Sequence, residues 1–347
     1  MVLASPGPKI GRRRTLTIVA AAAGVALWPG PVGSAGPRRF EWRGSALGTQ
    51  ARILLHHEDR AAARAAVRAC VAEIGRLERE FSLYRADSAL HALNRDGHLA
   101  APSQDMRRLL ADCARFGALT GGIFDVSVQP LWRLIAEHFA AQPNAAGGAT
   151  GETIEGAAEG PPARALAAAR ARVDYRRIEI GPARVTLGPG MALTLNGIAQ
   201  GYITDRVAEI LRARGWSNVL IDLGEIRALD GRPGGGPWTV GLESPGGLEN
   251  PGHHLALNNQ AVATSSGFAT RFEASGRYHH LLDPSSGASP NAYRSVTVIA
   301  PEAVTADALS TALFLLPRVE AERVLRAGGG TEARLIDRQG RSERVIV

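Results

Sequence analysis

Two stretches about a hundred residues apart constrain this chain more than any others. Residues 194–207 read T-L-N-G-I-A-Q-G-Y-I-T-D-R-V, and residues 304–315 read V-T-A-D-A-L-S-T-A-L-F-L. The first has the pattern of a strand end passing through a turn bounded by Gly197 and Gly201 into a helix. The second reads as a loop feeding a helix whose first turn carries Asp307. Thr311 follows four residues later, on the same face one turn down. A carboxylate and a hydroxyl at that spacing, near a helix N-terminus, suit a hard cation that also holds a phosphate. Magnesium takes few protein oxygens, so a backbone carbonyl from the glycine-bounded turn would complete a set. A plainer reading stands beside this one. An aspartate near a helix start is commonly a cap or dipole partner worth about 1 kcal/mol, and the glycine pair matches neither G-x-G-x-x-G nor a Walker sequence.

The rest of the chain is large enough to frame such a site. With 347 residues, 45% of them hydrophobic, it can bury an extensive core in one domain or two interlocked ones. The formal charge is +7, but residues 1–35 carry Lys9, Arg12, Arg13 and Arg14 and no acid, so more than half of the excess sits in that segment. A nucleic-acid partner gains no support from it. Residues 9–14 form a basic run, residues 16–27 an apolar stretch too short to span a bilayer, and V-G-S-A (32–35) a peptidase site. Residues 1–35 are thus expected to be a signal peptide, leaving residues 36–347 as the mature domain with no membrane anchor. Arg13-Arg14 with Leu16 behind resembles a twin-arginine signal, with an ordinary secretory signal as the alternative. The expected location is the periplasm. Cys70 and Cys113 have no metal-ligand spacing. They read as buried small residues or as a single disulfide.

Along the mature chain, residues 40–56 read as two strands. Residues 58–81 form an amphipathic helix with Val67, Val71, Ile74, Leu77 and Phe81 on one face. A helix over 104–119 has Ser103 as cap and Gly121-Gly122 as stop. Residues 122–132 (G-I-F-D-V-S-V-Q-P-L-W) start strand-like and turn at Pro130. Asp125 within them is either a turn or cap residue or a buried acceptor for a ligand's N–H groups. Residues 140–162 are rich in Ala, Gly and Pro without period and read as a flexible insertion. Residues 176–195 are hairpin material. Strands are expected at 219–226, 237–244, 260–265 and 295–300, a helix from the central motif to about Arg214, and a closing hairpin over 335–347. Strands and helices alternate without a regular βαβ beat, so the fold class is α+β. His279 and His280 precede Asp283-Pro284, and A-T-S-S-G (263–267) supplies small residues and hydroxyls for a polar pocket. A histidine beside a metal-bound phosphate would take a proton from an attacking hydroxyl, although loop histidines are more often structural.

Nine pieces stand in register: A-L-G-T (46–49), F-S-L-Y-R-A-D-S (81–88), G-I-F-D-V-S-V-Q-P-L (122–131), L-N-G-I-A-Q-G-Y-I-T-D (195–205), N-V-L-I-D-L-G (218–224), P-W-T-V-G (237–241), A-V-A-T-S-S-G (261–267), Y-H-H-L-L-D-P-S-S-G (278–287) and A-D-A-L-S-T-A (306–312). Together they resemble the ApbE family of FAD:protein FMN transferases over about residues 40–345. The resemblance implies two intertwined α/β parts with FAD bound between them. It also implies magnesium on the FAD pyrophosphate. A Thr or Ser hydroxyl of a target flavoprotein attacks the FMN phosphorus and AMP leaves. Carried over, Asp307 and Thr311 are magnesium ligands, with the Gly197 carbonyl a third. Leu47, Tyr84, Phe124, Asp125, Thr194, Gln200, His280 and Leu281 lie against FAD. His280 is the candidate proton acceptor and, with Asp307, the catalytic pair.

Three positions depart from the family pattern. Leu47 stands where Met is usual, Thr194 where Asp is usual, and Gln200 where Lys is usual. Loss of an Asp–Lys pair together is neutral for the fold if Thr194 and Gln200 find hydrogen bonds instead, but it removes a positive charge near the phosphates. These changes and the export signal look similar to the NosX branch, whose expected acceptor is the periplasmic flavin domain of a NosR-like membrane electron-transfer protein. Two other functions compete with the transferase. One is a magnesium-dependent FAD pyrophosphatase yielding FMN and AMP, and the other is a non-catalytic periplasmic FAD-binding protein.

Overall fold

The chain folds around one helix that is apolar on nearly every side. Residues Ala303–Leu315 carry a single formal charge, and eleven of the thirteen are buried. A helix without a polar face has to be enclosed, and the remaining elements are arranged to enclose it. The computed structural model describes residues 38–142, 159–241 and 254–347. The expected signal peptide, most of the expected insertion at 140–162 and the end of the 237–244 strand lie outside the described residues.

In chain order, the hairpin β1 (Arg38–Ala46) and β2 (Thr49–His57) is followed by helix α1 (Arg60–Phe81). Next come α2 (Ala89–Asp96), β3 (His98–Ala100), α3 (Gln104–Leu119), α4 (Gln129–Ala140) and α5 (Ala163–Arg170). The short strands β4 (Glu179–Ile180) and β5 (Arg184–Thr186) lead to α6 (Ala199–Ala213). Then follow β6 (Val219–Asp222), β7 (Ile226–Leu229), β8 (Trp238–Gly241), β9 (His254–Leu257), β10 (Ala261–Ser266) and β11 (Tyr293–Ala300). The apolar helix is α7 (Ala303–Leu315), and α8 (Arg318–Gly328), β12 (Glu332–Asp337) and β13 (Ser342–Ile346) close the chain.

An eight-stranded sheet runs in the order β1-β2-β6-β7-β10-β11-β12-β13, every neighbouring pair antiparallel. The chain leaves this sheet after β2 and returns at β6, where Ile53 pairs with Ile221. It leaves again after β7 and returns at β10, where Ala261 pairs with Arg227. The fold is α+β, built by interleaving. One face of the sheet carries α1, α6, α7 and α8 over the main core, and the other is covered by the β8–β9 ribbon, whose Trp238, Val240, Leu255 and Leu257 bury Leu54, Leu220, Ile226 and Val262. Burial on both faces explains why 219–221 and 228–229 read as unbroken apolar runs.

Local signals place several elements where the sequence puts them. Ser103 Oγ accepts from Met106 N at 3.0 Å and starts α3, and Gly121 and Gly122 end it with φ of 64° and 89°. Three expectations need correction. Val71 is 38% exposed, and buried Cys70 takes its place on the inner face of α1. Residues 122–132 are not strand-like: Asp125 starts a 3₁₀ turn (Val126–Val128) that runs into α4, with Pro130 at its first turn. Only 179–180 and 184–186 of the expected 176–195 hairpin pair as strands. Of the two readings for Cys70 and Cys113, the buried small residue holds: both are buried free thiols, and burial raises both, Cys70 to about 11.

Two glycines give opposite expectations. Gly75 lies within α1 with open space where a Cβ would be, whereas a Cβ on Gly201 would sit 2.3 Å from the Ala303 carbonyl oxygen. Gly75→Ala should therefore stabilise the fold by about 0.5–1 kcal/mol through helix propensity. Gly201→Ala should destabilise it by at least about 1–3 kcal/mol through overpacking. Urea unfolding of both variants measures the pair.

Candidate active site

Helices α6 and α7 cross at Gly201, closely enough that only glycine fits. Ile198 and Glu302 occupy the two N-cap positions, and neither side chain makes a cap hydrogen bond. Each helix is capped by the other instead. Asp307 of α7 accepts from the Gly201 N–H at 2.9 Å. Asp205 of α6 accepts from the Ala303 and Val304 N–H groups at 2.9 and 2.8 Å. On each helix the aspartate stands one turn beyond the residue at the crossing, so the two carboxylates reach across from opposite sides. Asp307 is thus in the second turn of α7, not the first as its sequence suggests, because the helix begins at Ala303. It does cap a helix, but not its own. Gly201, expected to bound a turn, is inside α6.

Next to this crossing lies a cradle of oxygens. A Cβ on Gly197 would lie 3.0 Å from Thr311 Oγ1 and 3.6 Å from the Phe124 ring. Ser265 Oγ hydrogen-bonds with Ser310 Oγ at 2.8 Å and Thr311 Oγ1 at 3.3 Å. Gly197, Ser265, Thr311 and Asp307 therefore come together from three separated segments.

The electrostatics are those of crowded acids. Burial pushes Asp307 up to about 7, the Gly201 N–H pulls it down, and Asp205 adds to the rise. Glu225 is raised well above its ordinary value, first by burial and then by the charges of Asp307 and Asp222. Burial also lifts Asp205 and Asp222 to about 6 each. Arg227 Nε, 3.8 Å from Asp205 Oδ1, and Arg52, beside Asp222, are the cations set against them. Among the described residues no three His, Cys, Asp or Glu side chains form a metal-binding group, so a cation here would rest on Asp307, the Thr311 hydroxyl and backbone oxygen. All of these are hard donors, and buried carboxylates raised by burial and by one another favour a divalent cation over protons as pH rises.

The model of the ApbE family matches residues 47–335. The chain belongs to the ApbE family. It is 30% identical over 298 residues to the FAD:protein FMN transferase of Klebsiella pneumoniae strain 342, across 82% of this chain and 81% of that protein. It is 29% identical over 343 residues to the FAD:protein FMN transferase of Treponema pallidum, across 91% and 90%. Among solved structures, the apo flavinyl transferase ApbE of Pseudomonas stutzeri superposes with a TM-score of 0.72 at 27% identity, covering 91% of this chain and 96% of that one. The ApbE protein of Thermotoga maritima gives 0.75 at 27% identity, covering 89% and 97%.

The other residues singled out by the ApbE resemblance are held by contacts of their own. Leu47 takes φ 47° in the turn of the β1–β2 hairpin, and its N–H donates to Glu78 Oε1 at 2.7 Å. Gln200 Nε2 donates to Thr49 Oγ1 at 3.1 Å and to the Leu223 carbonyl at 3.2 Å, tying α6 to that turn. Thr194 Oγ1 accepts from Asn196 N at 3.3 Å. Thr194 and Gln200 thus each find a hydrogen bond, though not with each other. Asp125 accepts from Ser127 N and Oγ at 2.8 and 2.6 Å and from Tyr175 N at 3.0 Å, so the cap reading holds for it. Phe124 is buried edge-on to Phe116. Tyr84 stands apart at 58% exposed.

The two histidines divide. His279 is buried, its Nε2–H donates to the Pro290 carbonyl at 2.9 Å and its Nδ1 accepts from Leu281 N at 3.3 Å. Burial lowers its pKa, so it is a neutral structural residue. His280 donates from Nδ1 to the Thr270 carbonyl at 3.2 Å. Sequence reasoning passed over Glu225, Asp222 and Asp205. The only local signal was an acid within apolar runs, in V-L-I-D-L-G-E-I and G-Y-I-T-D.

The raised acids fix the pH response. Between about pH 4 and 7 folded Asp307 holds a proton that the unfolded chain has released. In EDTA, stability contributed by this group falls as pH rises through that window, and Asp307→Asn should raise Tm at pH 7.5. Magnesium competes with the same proton, so the Tm gain it gives should be largest above pH 7 and shrink below pH 6. Thermal melts with EDTA or Mg²⁺ across pH 5–8 measure both signs.

Proposed function

We propose that this chain is an FAD:protein FMN transferase, acting on FAD and on a Thr or Ser hydroxyl of a target flavoprotein. The observation that carries this reading is the cradle of Gly197, Thr311 and Asp307, in a chain of the ApbE family. Asp307, Thr311 and the Gly197 carbonyl would hold Mg²⁺ at the FAD pyrophosphate. When bound, it supplies charge withdrawal from the pyrophosphate oxygens and stabilises the leaving phosphate.

The protein's own residues position and shield the reactants. Phe124, Asp125, Leu281, Leu47 in the β1–β2 turn and Gln200 of α6 would flank FAD, and exposed Tyr84 would cover the flavin from outside. His280 takes the proton from the attacking hydroxyl. The new bond joins that oxygen to the FMN phosphorus. The bond from phosphorus to the AMP oxygen breaks, and AMP departs with the electron pair. Gln200 is neutral and committed to Thr49 and Leu223, so it places no charge on the phosphates. The export segment supports a periplasmic site of action by the twin-arginine route. With the Thr194 and Gln200 substitutions, it favours the NosX branch and a membrane electron-transfer acceptor.

Incubation with FAD, Mg²⁺ and a flavin domain bearing an acceptor threonine should add the mass of one FMN to that domain, and EDTA should prevent it. Asp307→Asn should abolish transfer while remaining folded. His280→Ala should lower kcat by about 10²–10⁴-fold with FAD still bound. Free FMN and AMP without labelling would mark a hydrolase, and wild-type transfer by Asp307→Asn would remove the metal role.

A further inference from the structure

Asp205 has no place in the chemistry proposed above, yet its side chain is only 16% exposed and its carboxylate is committed within the fold. Its oxygens are taken up by Ala303 N–H, Val304 N–H and, at 3.8 Å, Arg227 Nε. Arg227 is itself buried on β7, and among the described residues its Nε and Nη1 find no hydrogen-bond acceptor. A core optimised for stability alone is better served by apolar residues than by a buried pair so poorly hydrogen-bonded. The pair therefore calls for a role beyond packing.

We infer that Asp205, held by Arg227, is a positioning residue for the metal-binding face of α7. The first turn of α7 presents N–H groups that no residue of its own caps. Asp205 takes two of them, one with each oxygen, and so fixes both the axial height and the rotation of the helix against α6. Asp307 and Thr311 stand one and two turns further along the same face, so any slip at Ala303 is transmitted to both. The mirror bond from Gly201 to Asp307 resists that slip at one point only. Donor groups of a metal site have to be held within about 0.5 Å of their working geometry. Residues that orient metal ligands without touching the metal commonly change affinity by about 10–100-fold when replaced.

The inference rests on the reading of Asp307 and Thr311 as metal ligands, and the test separates the two. Asp205→Asn alone strands the Arg227 charge, so the informative variant is Asp205→Asn with Arg227→Met, which removes both charges at once. Mg²⁺ is titrated calorimetrically into the FAD-loaded full chain, with melting in EDTA as the measure of fold. The double variant should melt in EDTA no lower than wild type, bind Mg²⁺ about tenfold or more weakly, and raise the KM for Mg²⁺ in parallel. Arg227→Lys, which keeps the charge, should hold affinity close to wild type. Wild-type Mg²⁺ affinity in the double variant, or loss of the folded state there, would make the pair purely structural and overturn the inference. An Arg227→Lys protein as weak as the double variant would overturn the role of the charge. A wild-type chain that takes up no Mg²⁺ would overturn the underlying metal reading along with it.

Discussion

Two aspartates that cap each other's helices hold this structure in register. Asp307 closes the N-terminus of α6 at Gly201, and Asp205 closes that of α7 at Ala303 and Val304. Each carboxylate gains from the partial positive charge of a helix start, and each loses hydration in the core. The loss is large enough to lift both well above the ordinary carboxylate range. Without a cation the crossing thus carries electrostatic tension, and Glu225 adds to it by facing Asp307 from β7's start. That tension is what a site for a divalent cation requires: acids kept close by the fold and short of positive partners.

The interleaved sheet follows from the same crossing. α7 is apolar on almost every side and needs the sheet strands β10 and β11 beneath it, α6 beside it and α8 over it. α6 belongs to a segment that has left the sheet after β2, so the return through β6 and β7 brings it back to α7. The pairing of Ala261 with Arg227 then sets β10 next to β7, which places Ser265 against Thr311 and Arg227 under Asp205. Fold and site are therefore one arrangement, and the polar positions of α7 (Thr305, Asp307, Ser310) are buried because of it.

Much of this was legible in the sequence wherever the deciding contact is local. Ser103 and Gly121-Gly122 bound α3 through bonds within a few residues, and the β1–β2 hairpin declares itself through alternation. The two motif segments carrying Gly197 and Thr311 are brought side by side by the fold, as their pairing in the sequence suggested. Reading failed where the deciding contact is distant. The apolar run 122–126 looks like the start of a strand, but Asp125, read correctly as a possible cap, is also tied to Tyr175 N fifty residues on, and the segment turns there instead. Gly201 looks like a turn glycine and is a helix-crossing glycine, because its neighbour is Ala303. Asp205 and Glu225 gave only the weak signal of an acid in an apolar run, since what makes them matter lies across the fold at Ala303, Val304 and Asp307.

In the proposed function, the crossing of α6 and α7 builds a divalent-cation site at Asp307. Crystals of residues 36–347 grown with FAD and Mn²⁺ and measured at the manganese absorption edge would locate it. The account predicts one strong anomalous peak about 2.0–2.5 Å from the Asp307 carboxylate, Thr311 Oγ1 and the Gly197 carbonyl oxygen. A peak elsewhere, or none with FAD in place, would contradict it.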